Sequence, residues 1–114
     1  MAIVDDLHDA LDLVEDAIAL VRKALNHNPS DGERRDLEQL LLRLEAERGV
    51  LQSEFDAADE GETLVQGPTA TQMKAVAALA AKVDTATKQA NLSANAIALG
   101  GKVFDLATAI VKHA

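Results

Sequence analysis

Apolar residues recur at the start of the chain with helical spacing. Val4, Leu7, Leu11, Val14, Ile18, Val21 and Leu25 alternate steps of three and four, the a and d seam of a heptad repeat. Ala10, Ala17 and Ala24 fall on the adjoining g position, so a second helix can approach closely on that side. Leu13 and Leu20 fall on c and widen the apolar arc beyond a two-stranded seam. An arc of that width suits a bundle helix with two neighbours. The outer face carries Asp5, Asp9, Asp12, Glu15 and Asp16, and Arg22-Lys23 follow late, as the helix dipole favours. The pattern predicts a helix over about 3–26.

Asn26-His27-Asn28-Pro29 ends that helix, because the residue before proline is pushed out of the helical region. Ser30-Asp31-Gly32-Glu33 then has the form of a capping box, and so short a link predicts an antiparallel hairpin. The second helix, about 31–58, places Leu37, Leu41, Leu44, Leu51, Phe55 and Ala58 in heptad register, with Leu40 and Leu42 widening the face. Arg48 interrupts the seam. It is read either as a side chain whose stem lies on the core while its head reaches water, or as a buried specificity device paired with Asp12, Glu15 or Asp105. Gly49, which costs about 1 kcal/mol relative to Ala in a helix interior, marks a close helix contact or a kink.

Periodicity dissolves from Asp56 to Pro68, leaving an acidic loop over about 59–68 in which Leu64 and Val65 are expected to tack the chain onto the bundle. Thr69-Ala70-Thr71-Gln72 is a second capping-box match and opens an Ala-rich third helix with Met73, Val76, Ala80 and Val83 on its seam. The same register can be followed to Val111, but one unbroken helix of that length would run about 65 Å at 1.5 Å per residue. The chain must therefore turn. A turn near Asn91–Ser93 predicts helices of about 70–90 and 93–113 and completes an all-α, antiparallel four-helix bundle built from two helical hairpins. Gly100-Gly101 then lies inside the last helix, where a bulky neighbour such as Phe55 packs onto bare backbone. The alternative is a turn at that glycine pair, giving three long helices and a short C-terminal one.

Composition agrees with the helical class: Ala, Leu, Val and Ile dominate the apolar 48%, and only Phe55 and Phe104 are aromatic. At 114 residues the chain holds a single domain with one core. The absence of Cys rules out disulfides and thiolate chemistry. The net charge of −8 is divided unevenly: residues 1–68 carry 6 Lys/Arg against 17 Asp/Glu, residues 69–114 carry 5 Lys against 2 Asp. The halves should attract one another, and nucleic acid is not an expected partner, since phosphate contacts need clustered Lys and Arg. Met1–Asp6 lacks a basic region followed by an apolar run, and the longest charge-free stretch, Gln89–Gly101, is short and polar for a bilayer span. A soluble, cytoplasmic protein is the expectation.

Candidate chemistry changes this picture little. His8 has Asp5 three residues before it and Asp12 four after, a spacing that could present ligands to a divalent ion but equally describes a solvated acidic face. The Glu-x-x-His pairs of di-metal bundles do not occur. Acid pairs such as Glu45/Glu47 and Asp59/Glu60 lack a pocket to shift a pKa, and Ser30, Ser53 and Ser93 have no His and acid arranged around them. The pair Gly100-Gly101 lacks the following Lys-Ser/Thr of a phosphate loop. No catalytic residue, metal site, cofactor or small-molecule substrate is therefore expected. A surplus of apolar surface points instead to protein–protein interaction or assembly, as adaptor, inhibitor- or chaperone-like partner, or homo-oligomer, with Leu13, Leu20, Leu40, Leu42 and Arg48 as interface candidates. The competing expectation is a membrane- or lipid-associating amphipathic protein, based on the Ala-rich, weakly basic second half. The acidic first half and scarcity of aromatics weigh against it.

Overall fold

The computed structural model describes residues 3–61 and 67–112, which form four helices: α1 (Ile3–Leu25), α2 (Asp31–Asp59), α3 (Ala70–Ala86) and α4 (Leu92–Lys112). Their packing is that of an antiparallel four-helix bundle, 46 × 22 × 18 Å. The expected contribution of Leu64 and Val65, and the expected last residue of helix four at position 113, lie outside the described residues.

The end of α1 and the ends of α2 and α3 have local reasons. The α1 terminus is closed by the Asn26 and His27 amides, which donate back to carbonyls of Arg22, Lys23 and Ala24, and by His27 Nδ1, 2.8 Å from the Lys23 carbonyl. Asn28 then adopts φ +52°, a left-handed conformation that Asn tolerates better than most residues, and Pro29 prevents re-entry into the helix. At the start of α2, Ser30 Oγ accepts from the Glu33 amide at 3.3 Å while the Ser30 amide donates to Glu33 Oε1 at 3.1 Å. The expected capping box is thus formed, and Thr69 with Gln72 forms the second one at α3. Gly61, at φ +86°, ends α2 with its amide bonded to the Ala58 carbonyl.

The turn between the last two helices spans residues 87–91, so α3 ends about four residues before the expected 90. Two threonines account for this. Thr85 Oγ1 donates to the Ala81 carbonyl at 3.0 Å and Thr87 Oγ1 to the Asp84 carbonyl at 2.6 Å, hydroxyl bonds that compete with the helical ladder. Across the turn, Asn95 Nδ2 donates to Gln89 Oε1 at 3.0 Å. Gly100-Gly101 lies within α4, so the alternative of a turn at the glycine pair is not what forms.

The four helices are not equivalent in the cross-section. α1 and α4 each contact all three others, whereas α2 and α3 flank this central pair and do not touch each other. Both central helices carry small buried residues: Ala10, Ala17 and Ala24 on α1, and Ala96, Gly100 and Ala107 on α4. The neighbour of Gly100 is not Phe55 as expected but Leu40: a β-carbon added there would lie 2.5 Å from Leu40 Cδ2 and 3.5 Å from Val21 Cγ2. Phe55 instead sits beside His8 of α1, ring centroids 5.7 Å apart. One continuous core results, with Leu7, Leu20, Leu37, Leu44, Leu51 and Ile110 fully enclosed.

Candidate interaction surface

The five residues singled out from the sequence separate cleanly once the helices pack. Leu13 and Leu20 are 2% and 0% exposed, so they belong to this chain's own core and not to an exposed interface. Leu13 sits with Met73, Val76 and Ala80 along the α1–α3 contact: the wide arc of α1 is covered by α3. Leu40, 7% exposed, is likewise internal, seated on Gly100. Leu42 alone among the leucine candidates is open to solvent, at 69%. Arg48 is half-buried and, among the described residues, has no carboxylate within salt-bridge distance, so the pairing with Asp12, Glu15 or Asp105 is not formed.

Leu42 is not isolated. Ala46, Gly49, Val50 and Ser53 are also exposed, Val50 at 44%, and their spacing from Leu42 puts all five on one side of α2. Ser53 Oγ donates to the Gly49 carbonyl one turn earlier at 3.1 Å. A β-carbon at Gly49 would meet nothing within 4 Å, so neither the close contact expected there nor other packing among the described residues calls for glycine. The continuous helix through Gly49 shows no break. This uncharged band runs down a helix otherwise rich in Arg, Asp and Glu. In the sequence it was masked because Ala, Gly and Ser contribute no apolar periodicity; uncharged positions spaced by three and four opposite the leucine seam were the available signal.

The charged groups are arranged for solvation and helix ties. His8 Nδ1 lies 3.3 Å from Asp12 Oδ2, and Asp9 joins them, rather than Asp5 as the sequence suggested. All three are exposed, where water and salt screen them. Arg22 and Glu45 pair at 2.8 Å between α1 and α2, and Lys23 Nζ bonds the Thr87 carbonyl, tying α1 to the α3–α4 turn. Burial raises the Glu54 carboxyl above its usual range, with Glu47 adding repulsion; burial, then Asp12 and Asp84, does the same for Asp16. One oxygen each of Glu47, Glu54 and Thr108 is buried without a hydrogen-bond partner. None of these carboxylates faces a nucleophile–base pair among the described residues.

Two other surfaces have some apolar character. A groove of about 410 Å³ opens between α3 and α4, walled by Ala81, Thr85, Ala86, Ala98 and Leu99 with Lys82 at its edge. The segment Leu92–Val111 of α4 is, by length and composition, long and apolar enough to cross a membrane, which the charge-free stretch ending at Gly101 did not suggest. It nonetheless supplies Leu92, Ala96, Val103, Ala107 and Ile110 to the core. The class defined by fold and surface is a small helical bundle with an uncharged outer band on one flanking helix. Comparison of the chain with protein-family models, curated proteins and solved structures gave no match.

Proposed function

We propose that this chain is a non-catalytic protein–protein interaction or assembly module, soluble and cytoplasmic, that engages its partner through the outer face of α2. The observation carrying this reading is the exposure of Leu42 and Val50 within a band free of charge. Single exposed leucines are ordinary, but two large exposed apolar side chains on an uncharged band of a helix otherwise clothed in charge favour occupancy by another protein. The absence of Cys and the solvated placement of His8 support the non-catalytic part. The strongly acidic first half disfavours nucleic acid as the partner.

Photo-cross-linking tests it directly. A photoreactive residue at position 42 in the native cell is expected to yield a discrete protein adduct, while the same residue at Lys82, on the far flank, yields none. Equal labelling at both positions, or none at position 42, would overturn the reading. A second reading, association with a lipid surface, is favoured by the apolar length of α4. It requires α4 to leave the core, and flotation with anionic vesicles at low salt is expected to leave the protein in the unbound fraction.

A further inference from the structure

The outer face of α2 is complementary to itself, and we infer that its occupant is a second copy of this chain, docked α2 against α2 in antiparallel, two-fold fashion. This rests on the interaction reading and names the partner. Beyond the apolar centre, the same side of the helix carries Arg35 and Gln39 toward its start and Glu60 at its end, with Asp56 along its edge; all four are exposed. Their spacing continues the steps of three and four that run through Leu42, Ala46, Gly49, Val50 and Ser53.

Placing the two-fold axis between Ala46 and Gly49 fixes every partner. Ala46 then faces Gly49 of the partner subunit, Leu42 faces the partner's Ser53, Val50 lies toward the partner's Ala46, and Arg35 faces the partner's Glu60. Exposed Glu38 falls on the same edge as the partner's Asp56, a like-charge contact that the Arg35–Glu60 pairs must outweigh. Each relation occurs twice, as an isologous contact requires. Opposite charges meet at both ends and small residues meet at the centre, where bare backbone lets two helices come close. Parallel pairing of the same faces would set Arg35 against Arg35 and Glu60 against Glu60, so charge selects the antiparallel arrangement. The helix dipoles also oppose in that arrangement. The contact from Arg35 to Glu60 would extend about 38 Å at 1.5 Å per residue. Because α2 flanks the bundle and has no contact with α3, two copies can meet there without disturbing either core. The pairing also accounts for Gly49, a weak helix former for which the described residues give no packing reason.

Sedimentation over a concentration series tests the inference, with an expected rise from the 12.1 kDa chain mass to twice that value. Arg35→Glu and Glu60→Arg should each weaken the dimer about tenfold, and the double swap should restore it. All three variants should retain the wild-type helix content. Since the chain has no Cys, register is read by disulfide trapping. A mixture of Leu42→Cys and Ser53→Cys chains should cross-link, and Leu42→Cys alone should not. Cross-linking by Leu42→Cys alone, or a dimer indifferent to both charge swaps, overturns the antiparallel pairing. A chain that stays monomeric yet gives position-42 adducts with a different protein also overturns it, while leaving the interaction reading standing. A monomer without adducts overturns both.

Discussion

Helices α1 and α2 look alike as heptad patterns but have opposite situations in the bundle. α1 buries ten of its 23 residues, with leucines on one side of its seam and alanines on the other. α2 buries four of 29 and leaves Leu42 and Val50 in water. The difference follows from neighbours: α1 sits on the central diagonal between α2, α3 and α4, while α2 lies on a flank. An apolar arc therefore reports how many surfaces a helix touches, and only the packing tells whether those surfaces belong to the same chain.

The sharpest test of this contrast is leucine truncation on each helix. Leu20→Ala, in a fully enclosed position, should cost about 2–5 kcal/mol in urea unfolding, whereas Leu42→Ala in the monomer should stay within about 0.5 kcal/mol. A comparable loss at both sites would mean that α2 is covered within the chain. The glycines come next. Gly100→Ala drives a β-carbon into Leu40 and should destabilise by about 1–2 kcal/mol even after the helix-propensity gain, with Leu40→Ala in the same chain recovering part of the loss attributable to overlap. Gly49→Ala meets open space and should instead stabilise the monomer by about 0.5–1 kcal/mol in thermal unfolding.

Smaller effects probe the charged surface joining the two helices. The Arg22–Glu45 pair is partly exposed, so a double-mutant cycle should return a coupling of about 0.2–1 kcal/mol that shrinks in high salt. The smallest concerns Glu54 on α2. Its folded pKa is raised above the ordinary 4.5, so its charge disfavours the folded state at neutral pH. Glu54→Gln should therefore be more stable than wild type at pH 7. That advantage should shrink as pH falls through the raised folded value and level off below 4.5, as both proteins become neutral at this position. Urea midpoints at matched pH values read the sign directly.

What was legible in the sequence was local. The Ser30 and Thr69 capping boxes and the Asn28-Pro29 stop each rest on a few adjacent residues, and each places a helix end correctly. The end of α3 escaped because Thr85 and Thr87 fit a helical register while their hydroxyls work against it. The assignments that needed tertiary knowledge divided by burial. Leu13 and Leu20 fit an interface as well as a core in the sequence, because periodicity cannot distinguish α3 from a foreign helix, and Gly100 meets Leu40 rather than Phe55 because helix rotation sets that contact. Leu42 stands out in the sequence as an apolar residue beside the seam, whereas the exposed uncharged band around it does not, since its other members are mostly too small to register as apolar.

The central position of α1 and α4 bears on how the protein is made. The helix synthesised first among those described must wait for the helix synthesised last before the central α1–α4 contact can form, so that part of the core has high contact order. Until Leu92 and the residues after it leave the ribosome, the α1–α2 hairpin presents Val21 and Leu40 without the Gly100 backbone that packs against them. A nascent chain stalled at that stage is an open-faced hairpin, and the interval before α4 arrives is when chaperones and aggregation compete for it.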